Sequence, residues 1–203
     1  MEPPSMDLLE IMDFGFIPKA NEFSRQQATW NYPIFDACPK VLWQDIFTAM
    51  NPEEVISSFA IQLPPPPAVA GLYKPLVIVG ELAYLSGHLP IMNDGTPMVG
   101  EIGNGKTVEE GNAAARQAGL NMLATLRADL GSLDKVSRVV KLLGLVNSPG
   151  GFTQHPQVIN GCSELFKEVF GEDNGVGARS ALGVSGLPAG VMVEIEGIFQ
   201  IDL

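Results

Sequence analysis

The residue types best suited to chemistry lie near the C-terminus, where Arg179 in Gly177-Ala178-Arg179-Ser180-Ala181 is followed fifteen residues later by Glu194 and then by Glu196. A guanidinium is always charged and presents a planar fork that grips a carboxylate through two N–H donors. A carboxylate in a partly dry place has a raised pKa and can orient a water and move protons. Both residue types sit here in otherwise apolar segments. Between them Gly186-Leu187-Pro188-Ala189-Gly190 reads as a tight turn. The spacing predicts an antiparallel hairpin in which Arg179 faces Glu194 or Glu196, because either pairing centres the loop inside that turn. Alternation puts both glutamates on one face of the last strand. The plain reading is a structural ion pair. From spacing alone that reading carries more weight, but a buried pair often only breaks even with an apolar one, which makes a functional reason worth testing.

Other candidate groups are weaker. His88 follows a strand-like segment, and a lone histidine beside a turn is more often structural than catalytic. Gly103-Asn104-Gly105-Lys106-Thr107 ends like a phosphate loop but lacks the first glycine at the required distance. Gly183-Val184-Ser185-Gly186 is not a nucleophile elbow, since no strand-to-helix turn follows it. The two cysteines, Cys38 and Cys162, and the two histidines have no metal-ligand spacing. No metal or organic cofactor is expected.

The elements that must position Arg179 and Glu194 belong to a chain of 203 residues with a net charge of −11. That length suits one domain with an extension. The acidic balance argues against nucleic acid and against an anionic membrane surface, both of which need a basic face. No apolar run reaches membrane-span length. The start, Met1-Glu2-Pro3-Pro4, lacks a basic region followed by an apolar core. With few thiols, a cytoplasmic location is the expectation.

Residues 1–57 read as an N-terminal extension and 58–203 as the domain. The extension holds both tryptophans, Trp30 and Trp43, and is interrupted by prolines. It is too aromatic for a solvated tail, and 41–50 fits a short helix with Trp43, Ile46, Phe47 and Met50 on one face. Packing on its own domain or a neighbouring subunit is favoured over recognition of another partner.

In the domain, 59–62 suits a short strand and Pro64-Pro65-Pro66-Pro67 a stiff connector. Strands are expected at 77–79 and 82–86, with Gly80-Glu81 as their hairpin turn. Thr107 and Glu110 form a capping box. The helix that follows runs to about Leu130, buries Ala115, Ala118, Met122, Leu123, Leu126 and Leu130, and stops at Gly131. A β-branched run at 136–146 suits a central strand. A second helix fits 157–170, with Val158, Leu165, Val169 and Phe170 in the core and Gly171 as its stop. The order β-β-α-β-α-β-β makes an α+β domain, a mixed sheet with two helices on one face. Oligomerisation is the simplest cover for the other face.

Residues 58–203 resemble the Rid/YjgF family of reactive-intermediate imine/enamine deaminases, also described as L-PSP endoribonucleases. The resemblance is carried by Tyr73 in Ala70-Gly71-Leu72-Tyr73, by Tyr84-Leu85-Ser86-Gly87-His88-Leu89-Pro90, by Asn160 in Val158-Ile159-Asn160, and above all by Ala178-Arg179-Ser180 followed by Val193-Glu194-Ile195-Glu196. It implies the chorismate-mutase-like α+β fold and a homotrimer with ligand clefts between subunits. It further implies cofactor-free hydrolysis of 2-imino or enamino acids to 2-keto acids and ammonia. Arg179 would bind the substrate carboxylate, and Glu194 would orient water and transfer protons. Ser86, Gly87 and Ala181 would line the substrate with backbone groups, with Tyr73 closing the cleft and Asn160 supporting its wall. The chain departs from the family at His88, where Gln is usual, at Ala181, where many deaminases have Cys, and at Gly177, where Pro is common. These departures leave a second possibility, a non-catalytic trimer that binds a small carboxylate metabolite. An endoribonuclease is a distant third, given the acidic charge.

Overall fold

The structure is a computed structural model and describes residues 50–69 and 71–202. The expected helix at 41–50 therefore lies outside the described residues, apart from Met50. Helix α1 (Pro52–Ser58) opens the described chain, with Asn51 and Glu54 forming a capping box and Val55 and Ile56 buried. It is fastened to the domain by Glu53. Its carboxylate pairs with Arg127 at 2.8 Å and accepts the Leu133 N–H at 3.0 Å, while its own N–H donates to Asp134. The 59–62 segment is not a strand. Phe59 caps α1 and Ala60 turns the chain with φ of 50°. Ile61 and Leu63 then pack against the core.

Five strands form the sheet: β1 (Leu76–Val79), β2 (Leu82–His88), β5 (Val136–Asn147), β6 (Ala178–Val184) and β7 (Val193–Ile201), in the spatial order β1-β2-β7-β5-β6. A two-stranded pair, β3 (Glu101–Ile102) and β4 (Gly105–Lys106), lies apart from it. The β1–β2 hairpin turns at Gly80-Glu81 as expected, with Val79 opposite Leu82 and Gly80 at φ of 59°. Helix α2 (Val108–Leu130) starts at the Thr107–Glu110 capping box and ends at Gly131 in the left-handed region, φ of 85°. Helix α3 (His155–Gly175) begins two residues earlier than expected; Gly171, at φ of 78°, breaks its regular part rather than ending it.

Both helices lie on one face of the sheet. The apolar stripe of α2, including Ala118, Met122 and Leu126, meets Val158, Leu165 and Phe166 of α3 and Val193, Ile195 and Phe199 of β7 in one core. Phe166 packs edge-on against Phe199, with ring centroids 5.6 Å apart. The helices come close where Gly161 lies on the Asn112 carbonyl, a contact that leaves no room for a Cβ. The fold is the mixed α+β arrangement expected. Among the described residues, no helix is long and apolar enough to cross a membrane.

One expectation fails in an instructive way. β6 and β7 are not a hairpin. β5 lies between them, pairing with β6 in parallel and with β7 antiparallel. Its parallel link to β6 requires a crossover, which α3 supplies, and the short 3-10 turn Pro188–Gly190 carries the chain back across β5. Arg179 is level with Leu142, and Glu194 with Leu145. The two residues are thus two strands apart and about 10 Å apart along the strand direction.

Candidate functional site

The seven residues expected at the site fall into two groups. Arg179, Ala181 and Asn160 lie on the helix side of the edge strand β6. Arg179 Nη1 donates to Asn160 Oδ1 at 2.9 Å and to Ser163 Oγ at 2.9 Å, both on α3. Ala181, two residues on, packs against the core from the same side. The guanidinium borders a recess of about 360 Å³ lined by Leu142, Asn160, Ser163, Val176 and Gly177. Among the described residues no carboxylate pairs with Arg179. Ser163 has no place in the sequence reading; its signal was its spacing, three residues after Asn160 and so on the same helix face.

Tyr73, Ser86, Gly87 and Glu194 form the second group. Ser86 Oγ donates to the Lys74 carbonyl at 2.8 Å, and the Ser86 N–H donates to the Pro75 carbonyl at 3.0 Å, so the segment after Tyr73 runs alongside β2. Tyr73 itself is exposed. The β2–β7 register shifts between Leu85 and His88, which takes Ser86 and Gly87 out of the regular ladder. Gly87 lies directly against the Glu194 carboxylate, which fills the space where a Cβ would project. Glu194 alternates with the buried Val193 and Ile195, so it points away from the helices to the open face. Burial raises its carboxyl pKa first, and the neighbouring Glu196 raises it further. Glu196 is more exposed and pairs with no cation among the described residues. The expected Arg179 ion pair with either glutamate does not form, because α3 holds the arginine on the opposite face.

His88 is structural. It is 5% exposed, its Nδ1 lies 2.7 Å from the Ser86 carbonyl and its Nε2 lies 2.8 Å from Thr125 Oγ1 on α2. A carbonyl can only accept, so Nδ1 carries the proton and Nε2 accepts from the threonine. Burial lowers its pKa, against a smaller raising effect of the Ser86 bond. Cys162 lies fully buried behind Arg179, its thiol pushed up to about 12 by desolvation, and is inert as a nucleophile. Among the described residues no cluster of three or more His, Cys, Asp or Glu is placed to hold a metal ion.

Each half is chemically incomplete. One offers a cation with spare N–H donors beside a recess. The other offers a carboxylate of raised pKa beside the half-buried backbone of Ser86 and Gly87. The apolar side chains Val77, Val79, Tyr84 and Leu182 share the open face with Glu194 and are exposed.

The fold agrees with the comparisons. Residues 53–189 match the family model described as "YjgF/chorismate mutase-like, putative endoribonuclease", and the chain belongs to this family. It is 42% identical over 147 residues to "Protein TCP17" of Trypanosoma cruzi, covering 72% of this chain and 92% of the relative. It is 34% identical over 153 residues to a 2-iminobutanoate/2-iminopropanoate deaminase of Dermatophagoides farinae, covering 75% of this chain and 100% of the relative. Among solved structures, a protein of unknown function from Agrobacterium tumefaciens superposes with a TM-score of 0.68 at 36% identity, covering 79% of this chain and 99% of that one. A "putative endoribonuclease" from Shewanella oneidensis gives 0.71 at 29% identity, covering 75% and 100%.

Proposed function

We propose that this protein hydrolyses reactive 2-imino acids, and their enamine tautomers, to 2-keto acids and ammonia in a cleft completed between copies of the chain. The observation that carries this reading is the Arg179 guanidinium, which pairs with no carboxylate among the described residues and is fixed by Asn160 and Ser163 with donors to spare. A fixed cation without a carboxylate partner suits the carboxylate that every 2-imino acid carries. Support also comes from the Dermatophagoides farinae relative that bears the name of such a deaminase.

The reaction adds water across a carbon–nitrogen double bond. Water oxygen attacks the iminium carbon as Glu194, held against Gly87, accepts a proton from it. The resulting amino alcohol passes its hydroxyl proton to the Glu194 carboxylate, once that group has protonated nitrogen, as the carbon–nitrogen bond breaks. Nitrogen leaves as ammonia, protonated by the same carboxyl, and the carbon becomes a ketone. An enamine first takes a proton at carbon and then follows the same course. A carboxyl of raised pKa suits both proton transfers near neutral pH, and general acid–base help of this kind contributes ~10²–10⁴-fold. The chemistry calls for no metal and no organic cofactor.

Arg179 and Glu194 face opposite sides of one sheet, so one chain cannot bring them to one substrate. A cyclic assembly, a homotrimer in the first instance, would lay the Glu194 face of one copy beside the β6 edge of the next. The exposed apolar residues around Glu194 favour such an arrangement. A ribonuclease reading has less support, since the chain carries a net charge of −11.

The test is release of ammonia and keto acid from freshly generated imino acids, with wild type compared to Arg179→Ala. Clear acceleration by wild type, lost in the variant, is the expected result. No acceleration on any imino acid, with 2-keto acids still binding through Arg179, would replace hydrolysis with simple carboxylate binding.

A further inference from the structure

A second polar recess, of about 330 Å³, lies at the far end of β6 from Arg179. It is built from the loop after β5, the first turn of α3 and the end of β6, and includes Ser148, Phe152, His155, Gly183 and Ser185. Ser148 is 7% exposed, and its Oγ lies 3.2 Å from His155 Nε2 and 3.4 Å from the Val146 carbonyl. The carbonyl can only accept, so the serine proton is directed there and the serine oxygen is left to accept from Nε2. His155 Nδ1 then has no partner among the described residues. The ring is held edge-on by Phe152, with centroids 5.0 Å apart.

Gly183 makes the cluster possible. A Cβ there would lie 2.5 Å from His155 Nε2 and 2.8 Å from Ser148 Oγ. Its backbone is ordinary for any residue, so the glycine is needed for space alone. No acidic side chain lines the recess in a chain that is strongly acidic overall. Gln154 provides no side-chain cap to α3, and Pro156 has no N–H to offer. The recess therefore presents an imidazole and the Ser185 hydroxyl, with no competing carboxylate.

The placement relative to Arg179 gives the cluster its meaning. Arg179, Ala181 and Gly183 alternate along one side of β6. Asn160 and Ser163, which hold the arginine, lie five and eight residues along the helix that starts at His155. At a rise of about 1.5 Å per residue, His155 and the two residues that hold Arg179 are roughly 8–12 Å apart along α3. Ala181, with the smallest side chain available, stands between them.

We propose that the Ser148–His155 recess is a second carboxylate subsite, which makes the protein selective for elongated dicarboxylic 2-imino acids. It rests on the reading that Arg179 grips the first carboxylate. The imidazolium form of His155 binds the distal carboxylate through Nδ1–H while Nε2–H stays on Ser148, and Ser185 adds a hydroxyl donor. A chain of about six or seven carbons reaches both ends once the hydrogen-bond lengths are included.

The experiment measures binding of 2-oxobutyrate, 2-oxoadipate and 2-oxopimelate to the full chain by calorimetry, for wild type, His155→Phe and Ser185→Ala. Phenylalanine keeps the packing on Phe152 and removes both nitrogens. The expected result is that a long diacid binds wild type about 10- to 100-fold more tightly than 2-oxobutyrate, as a charge-assisted contact allows. That advantage falls at least tenfold in His155→Phe and less in Ser185→Ala, while 2-oxobutyrate binding stays the same. Equal affinity for short and long ligands in wild type overturns the proposal, as does an advantage that survives in both variants. If His155→Phe fails to fold, Ser185→Ala and the chain-length series decide it. Failure of the underlying reading looks different: 2-oxobutyrate would then bind no better to wild type than to Arg179→Ala.

Discussion

Arg179 and Glu194 stand on opposite faces of the same sheet, with β5 between their strands. The arginine is held toward α3 by Asn160 and Ser163, and the glutamate lies against Gly87 on the open side. Strand alternation fixes both directions, and no side-chain rotation brings the two together within one copy.

Gly87→Ala should separate activity from stability. A Cβ at this position would overlap the Glu194 carboxylate, the far end of a flexible side chain. The glutamate moves aside at little cost to folding, but the acid–base group is then about 1 Å or more out of place, which costs about 10²-fold in rate. Steady-state imine hydrolysis together with thermal melting checks this. A folded variant of normal rate would show that the Glu194–Gly87 contact does not matter.

Glu194 also sets a pH dependence with a definite sign. Burial raises its folded pKa above the ordinary 4.5. The folded state therefore binds more protons than the unfolded state between those two values, and stability falls as pH rises through that window. Glu194→Gln removes the fall, so the variant should be at least as stable as wild type at pH 7 while losing ~10²–10⁴-fold in activity. The acid limb of the wild-type rate profile should lie above the usual carboxylate range and be missing in the variant. Melts at pH 5 and pH 7, with a rate profile, measure both.

His88 ties the Ser86–Gly87 irregularity to α2. Glutamine can satisfy both partners, with its amide N–H to the Ser86 carbonyl and its oxygen to Thr125. His88→Gln should keep near wild-type stability, while His88→Leu leaves a buried carbonyl and hydroxyl unpaired, at a cost of about 1–3 kcal/mol for each. The lowered pKa adds a second signature. The unfolded state binds more protons below the ordinary 6.5, so wild-type stability falls on acidification from there toward the folded value. His88→Gln should lose that dependence. Denaturant melts at pH 5 and pH 7.5 report both effects, and an unchanged pH slope in His88→Gln would exclude His88 as its source.

Gly161→Val should weaken the helix layer. The glycine rests on the Asn112 carbonyl, a backbone group that cannot step aside. Separating α2 from α3 costs typically 1–3 kcal/mol or more. Arg179 depends on α3 for both its partners, so affinity for 2-keto acids should fall with stability, as melting and calorimetry would show.

Most local features were legible in the sequence and non-local ones were not, the turn at 59–62 being the local exception. The Thr107–Glu110 box, the Gly80-Glu81 turn and the Gly131 stop are set by residues within one turn of each other, and each formed as read. The stripes of α2 and α3 were legible because helix period and burial agree. β6 and β7 do not pair because nearness in sequence is not nearness in space. Only the crossover through α3 puts β6 outside β5, and spacing between two strands carries no trace of a third inserted between them. The division of the candidate site residues into two groups depends on that inserted strand. Ser163 carries only its spacing from Asn160 as a signal, and Thr125 becomes informative only once the position of His88 is known.

The most direct test of shared clefts mixes two dead variants. Arg179→Ala and Glu194→Gln should each abolish imine hydrolysis as pure proteins. Co-expressed, with mixed assemblies isolated through two different tags, they should regain activity. In every mixed cyclic trimer one cleft, about a third of the total, receives the intact arginine from one copy and the intact glutamate from its neighbour. Recovery to roughly that fraction of the wild-type rate is the predicted result. Mixed assemblies as inactive as either parent would contradict a cleft built from two copies.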